Sequence, residues 1–96
     1  MQYIFQSNGW YLGFIQNGYL FSGNGIYLGW AEGSHVWGAN GQYRGLIKDG
    51  KYILRNLYIV PPVPRVPKVL PAIPALPEPV ANRTPINLPI GYVDAF

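Results

Sequence analysis

One histidine, four carboxylates and no cysteine are the side chains of this sequence best suited to chemistry, and their placement speaks against catalysis. His35 stands sixteen residues after Tyr19, itself sixteen after Tyr3, so it reads as a substituted aromatic rather than a general base. Glu32, Asp49, Glu78 and Asp94 fall in turns or in the tail and form no spaced acid–base pair. A metal centre needs more than one histidine and two turn carboxylates can offer. Ser7, Ser22 and Ser34 have no base at a matching position. Gly23-Asn24-Gly25 and its relatives are not phosphate loops, because such a loop leads from a strand into a helix and no helix is predicted. The expectation is a non-enzyme with no cofactor and no metal.

The charge distribution is more informative. The net charge is +3, yet residues 1–43 contain no lysine or arginine, and Arg44, Lys48, Lys51, Arg55, Arg65 and Lys68 then follow in close order. A patch of this kind suits anionic lipid or another phosphate-bearing ligand, with Lys48, Lys51 and Arg55 as candidate anion-binding residues beside Trp10 or Trp30. A solvated rim that keeps an apolar small protein dissolved is the competing reading. Single-strand nucleic-acid binders interleave aromatics with basic residues. Tyr43, Tyr52 and Tyr58 lie close enough, but their places in a repeat account for them, and nucleic acid is not expected.

The elements that hold these residues come from an uneven composition. Of 12 glycines, 11 lie between Gly9 and Gly50, whereas all 10 prolines lie from Pro61 onward. Proline every second or third residue forbids a hydrogen-bonded ladder, while short apolar stretches between glycine turns make strands. Two regions follow: a β domain over residues 1–60 and a polyproline-like tail over 61–96. No apolar run approaches the roughly 18 residues a membrane span needs, and Met1 to Gln6 lacks the basic start of a signal peptide. The expected location is cytoplasmic. Asn82-Arg83-Thr84 matches a glycosylation acceptor, which has no use without secretion.

Within the β domain the sequence repeats. Asn-Gly recurs at Asn8-Gly9, Asn24-Gly25 and Asn40-Gly41, each followed by Tyr-x-Gly: Tyr11-Leu12-Gly13, Tyr27-Leu28-Gly29 and Tyr43-Arg44-Gly45. Second turns at Asn17-Gly18, Glu32-Gly33 and Asp49-Gly50 lead into the next unit. The fourth unit is degenerate, with Arg55-Asn56 at its turn, Leu57 to Val60 as its second strand and Tyr58 as its repeat tyrosine. Four hairpins predict about eight short antiparallel strands.

Strand alternation then assigns faces. Ile4, Leu20, Val36 and Ile53 sit mid-strand and suggest a ring. Tyr11, Gly13 and Ile15, with their counterparts, form the expected core face, and the recurring glycine implies close backbone approach. The opposite face carries Trp10, Leu12 and Phe14 in unit one and Ile26, Leu28 and Trp30 in unit two, but Gln42, Arg44 and Leu46 in unit three. Two apolar faces of that size mark an interface or a covered surface.

These Asn-Gly hairpins with Tyr-x-Gly at a sixteen-residue period, followed by a proline-rich tail, resemble the bacterial four-fold β-flower proteins over residues 2 to about 60. The resemblance implies four hairpin petals in a shallow pseudo-symmetric all-β barrel. It makes Gly9, Tyr11, Gly13, Gly25, Tyr27, Gly29, Gly41, Tyr43 and Gly45 structural residues, and it transfers no catalytic residue. The shape is similar to the tubby-like fold, an analogy that implies lipid or protein binding. MORN-like repeats share the Tyr-x-Gly core, but their units are longer and build open arrays.

A polyproline II helix repeats every three residues. Val63, Val66 and Val69 therefore line one row, Pro61, Pro64 and Pro67 a second, and Pro62, Arg65 and Lys68 a third. After a phase shift at Leu70 the apolar row resumes with Ile73 and Leu76. Residues 90–96 are again apolar and suit docking as an extended segment. The preferred reading is an interaction or assembly module that self-associates or meets a protein partner through Trp10, Leu12, Phe14, Ile26, Leu28, Trp30 and the tail's apolar row.

Overall fold

The computed structural model describes residues 1–69 and 74–96. Seven strands form an antiparallel meander: β1 (Gln2–Phe5), β2 (Tyr11–Gln16), β3 (Tyr19–Ser22), β4 (Tyr27–Glu32), β5 (His35–Gly38), β6 (Tyr43–Lys48) and β7 (Tyr52–Asn56). The meander closes where β7 meets β1 in parallel at Tyr52 and Phe5. Parallel closure follows from the odd strand number, because the first and seventh strands of an up-and-down meander run the same way. An eighth strand, β8 (Tyr92–Asp94), pairs antiparallel with β7. The result is a disc 36 × 35 × 17 Å, and no helix occurs among the described residues.

Turn chemistry sets the period. Between β2 and β3, Asn17 and Gly18 take φ of 53° and 82°, the two left-handed residues that a tight hairpin needs. The loop between β6 and β7 has a third residue, Lys51, so the fourth unit starts one position late. Within petals one to three, Gly9, Gly25 and Gly41 each bond back to the carbonyl three residues earlier, at 2.9 Å, with φ between 86° and 88°.

Register corrects the simple alternation. A bulge recurs at Ile4/Phe5, Leu20/Phe21 and Val36/Trp37, sixteen residues apart, and sets two residues of the second strand against one step of the first. The extra residue carries Leu12 and Leu28 inward with Ile15, onto the aliphatic centre that Ile4, Leu20, Val36 and Ile53 make. Ile4, Leu20 and Val36 are each 0% exposed, so the ring expected from their spacing exists. Beside each bulge the glycine of Tyr-x-Gly approaches the next strand. A Cβ on Gly13, Gly29 or Gly45 would overlap the carbonyl of Phe21, Trp37 or Leu54 respectively.

The tyrosines of the same motif lie outside that centre, contrary to the expected core face. Tyr11 packs between Tyr3 and Phe5, Tyr27 between Tyr19 and Phe21, and Tyr43 between His35 and Trp37, with ring centroids 5.1–6.4 Å apart. Each such aromatic contact contributes about 0.5–1.5 kcal/mol beyond its buried area. Phe14 stacks on Phe21 and Trp30 on Trp37, which fills the remaining perimeter. The barrel thus sorts aliphatic residues to its axis and aromatic residues to its rim.

The fourth petal departs from expectation. Residues 57–60 form no strand, and Tyr58 is 75% exposed with its ring against Gly91 rather than at a repeat position. The missing strand comes instead from β8, where Tyr92, Val93 and Asp94 pair with Asn56, Arg55 and Leu54. Gly91 has φ of 88°, like the petal glycines, and its carbonyl accepts the Leu57 amide at 2.7 Å. Residues 57–91 are therefore the hairpin loop of petal four. Ala95 and Phe96 continue inward onto the aliphatic centre, and Asp94 accepts the Ser7 amide and hydroxyl at 2.9 and 2.6 Å, which ties petal four to petal one.

That long loop is a belt. Arg65 donates its amide to Gly41 at 2.8 Å, Pro74 and Leu76 sit beside Gly25, and Arg83 donates its amide to Gly9 at 2.6 Å. The belt visits petals three, two and one, then reaches petal four at Tyr92, with successive stations nine positions apart in sequence. The radius of gyration, 12.9 Å, matches the about 12.5 Å of a compact chain of this length.

Candidate functional site

The belt turns its rows in an unexpected sense. Val63, Val66 and Val69 are 82%, 87% and 87% exposed, so they do not pack on the petals. The cationic row faces inward instead. Arg65 lies 4.7 Å over the Trp37 ring and pairs with Glu32, while Lys68 lies 3.5 Å from the same carboxylate and 5.6 Å from the Trp30 ring. A guanidinium over an aromatic face, a carboxylate and a main-chain hydrogen bond hold this row inward. Arg83 repeats the contact in petal one, 5.4 Å from the Phe5 ring, and Asn82 accepts the Tyr11 amide at 2.8 Å. Loss of solvent works against the Glu32 carboxylate, but its bonds to Arg65 and Lys68 prevail and hold it below the usual carboxylate range.

The other expected interface residues divide. Leu12, Phe14, Leu28 and Trp30 belong to the molecule's own packing, and Trp30, 1% exposed, cannot reach a membrane. Trp10 and Ile26 remain exposed at the tips of petals one and two. Leu76 is exposed in part and touches petal two, and Ile73 lies outside the described residues. The repeat glycines and tyrosines take the structural places described above, with Tyr58 the exception.

The anion-binding set also separates. Lys48 and Lys51 share the turn between β6 and β7, where the Lys51 amide bonds the Lys48 carbonyl at 3.1 Å. Arg55, near the far end of β7, faces Arg44 instead. Together they line a cleft of about 700 Å³ at the seam of petals three and four, walled by Asn40, Gln42 and Leu57 and by the belt from Pro61 to Pro64.

Arg44 was legible as a break in the repeat, since it replaces Leu12 and Leu28 of the first two petals. Its guanidinium lies 4.1 Å over the Phe96 ring and donates to the Ala95 carbonyl, from Nε at 3.0 Å and also from Nη2. Burial, and then the like charge of Arg55, lower its pKa. The ion pairs among the described residues are those of Glu32 with Arg65 and Lys68, so neither cleft arginine shares one.

His35 keeps the aromatic station of its petal, with Nδ1 2.9 Å from the Tyr43 hydroxyl. Burial raises the pKa values of Tyr11, Tyr27 and Tyr43, helped by Tyr3 for the first and Tyr19 for the second. The Tyr11 and Tyr27 hydroxyls are buried without a hydrogen-bond partner.

Comparison with known proteins agrees with this architecture. A family described as "4-fold beta flower protein" matches residues 1–91. No curated protein and no solved structure matches the chain.

Proposed function

This chain belongs to the 4-fold beta flower protein family, and from that premise we propose that it is a non-enzymatic assembly module that associates with copies of itself through the outer row of its belt. One observation carries the reading. Val60, Val63, Val66 and Val69 recur every third residue and stand in solvent, while the cationic row beside them is bound. A periodic apolar row exposed in this way favours burial against protein. Because the Arg65 anchor already orders this stretch, association has less conformational entropy to lose. A straight row of like side chains is self-complementary about a two-fold axis, the commonest symmetry of assembly.

Light scattering of the full chain beside the Val63→Ser, Val66→Ser, Val69→Ser variant tests it. The expected result is a wild-type mass that is a multiple of 10.7 kDa and a monomeric variant. The variant keeps its melting temperature when measured dilute, since these side chains are already solvated in one chain, where surface changes usually cost within about 0.5 kcal/mol. A wild type that stays monomeric at millimolar concentration, or a variant that associates as well as wild type, contradicts the reading.

A further inference from the structure

We propose that the cleft between petals three and four binds phosphate monoesters that carry an apolar group, with Arg44 and Arg55 taking the phosphate and Leu57, Pro62 and Val63 flanking the apolar part. The first ground is the repeat itself. Petals one and two place Leu12 and Leu28 on the aliphatic centre, and petal three places a guanidinium at the same station. A leucine there would avoid the cost of desolvating a charge, a cost that the Ala95 carbonyl and the Phe96 ring offset without neutralising the guanidinium.

The second ground is the company it keeps. Arg55 adds like charge to the same cleft, and the Ala95 carbonyl is the only polar group among the described residues that accepts a hydrogen bond from Arg44. Asp94, the one carboxylate lining the cleft, is committed to Ser7 through both oxygens. Two guanidiniums with no carboxylate of their own match the double negative charge and multiple acceptor oxygens of a phosphate monoester better than a single carboxylate. The belt supplies a stiff apolar wall from Pro61 to Pro64, and about 700 Å³ is within the range of small-molecule sites. Val63 belongs to both surfaces, but the phosphate-binding pair Arg44 and Arg55 lies outside the valine row, so failure of either reading shows separately in Arg55→Gln and in Val66→Ser, Val69→Ser.

An NMR titration of the full chain with phenyl phosphate tests it, run beside sedimentation with phosphatidylcholine vesicles with and without phosphatidic acid. The expected result is saturable shifts at the Arg44 and Arg55 side chains and at the Leu57 and Val63 amides. Arg44→Leu and Arg55→Gln should each weaken binding by about tenfold or more. Arg44→Leu also gives up the contacts to Ala95 and Phe96, so the exposed Arg55→Gln is the variant whose loss of binding should come with a wild-type melting temperature. Lys48→Gln, in a different turn, should bind as wild type does. Binding of free ester and of phosphatidic acid vesicles alike, each lost in Arg44→Leu, supports an open site that also accepts headgroups. Binding of the ester alone, lost in the same variant, assigns the site to free small molecules, and binding of the vesicles alone, lost likewise, assigns it to headgroups. Unchanged affinity in Arg44→Leu or Arg55→Gln, equal weakening by Lys48→Gln, or no binding of either probe overturns the proposal.

Discussion

Petals one to three and petal four build the same corner from opposite kinds of loop. The first three turn within four or five residues at an Asn-Gly pair, and the fourth turns through residues 57–91, yet Gly91 keeps the backbone angle of Gly9, Gly25 and Gly41. A short turn is specified locally, whereas a long one must be held along its length, since a longer loop has more entropy to lose on closing. The belt is held at the other petals' turns by Arg65 and Arg83, whose amides bond Gly41 and Gly9. The tail is thus part of petal four, with the three local hairpins serving as the track on which the non-local one is laid.

Removing the belt is the most severe way to break that comparison. A chain ending at Val60 loses β8 and the contribution of Ala95 and Phe96 to the aliphatic centre, together with Val80, Leu88 and Tyr92 from the cluster of Phe5, Tyr52 and Leu54. It is expected to show no cooperative thermal transition and no fixed near-ultraviolet dichroism from the stacked Trp30 and Trp37. A truncated chain that melts cooperatively near the wild-type temperature would make the belt an ornament.

A finer test compares two stations of the track. Gly25 and Gly41 share a left-handed backbone, so alanine costs about 1–2 kcal/mol at either from conformation alone. At Gly41 the new Cβ would also overlap the Arg65 carbonyl, a main-chain obstacle, whereas at Gly25 it meets the flexible end of Leu76 at 3.0 Å. Denaturant titration should find Gly41→Ala the more destabilising by about 1–3 kcal/mol. Equal losses would mean that the belt does not press on petal three.

The smallest expected effect is acid sensitivity. Glu32 is held below its ordinary pKa of 4.5 in the folded protein, so its contribution is present above the ordinary carboxylate range and is lost as pH falls through the folded value. Thermal stability of the wild type should therefore drop more than that of Glu32→Gln as pH is lowered from above 4.5 to well below it. Because the pair is exposed, the difference is modest and shrinks with salt. Parallel profiles for the two proteins would deny the pair its role.

Much of this architecture was legible in the sequence where structure is local. Asn8-Gly9, Asn24-Gly25 and Asn40-Gly41 announced their hairpins because the turn chemistry sits in the turn, and Ile4, Leu20, Val36 and Ile53 announced the ring because their spacing is the repeat. The faces of β2, β4 and β6 were misread because a bulge leaves no composition mark, and one extra residue reverses inside and outside. Leu57 to Val60 looked like a strand by propensity and neighbourhood, while the true partner of β7 lay 35 residues downstream. The tail's period of three was readable, but which row turns inward depends on Glu32, Trp30 and Trp37, residues of another region. The nine-residue spacing of Arg65, Pro74 and Arg83 was present throughout and has meaning only against the track it follows.

Residue-resolved amide hydrogen exchange of the full chain tests the belt most directly. A free polyproline II segment has no internal hydrogen bonds, so all its amides exchange at chain-like rates. The account predicts slowed exchange at Leu57, Arg65, Arg83 and Ile86, which bond Gly91, Gly41, Gly9 and Ser7, beside fast exchange at the exposed Val63 and Val66. Exchange at Arg65 and Arg83 as fast as at Val63 would contradict it, and the tail would then be a free arm on the seven-stranded barrel.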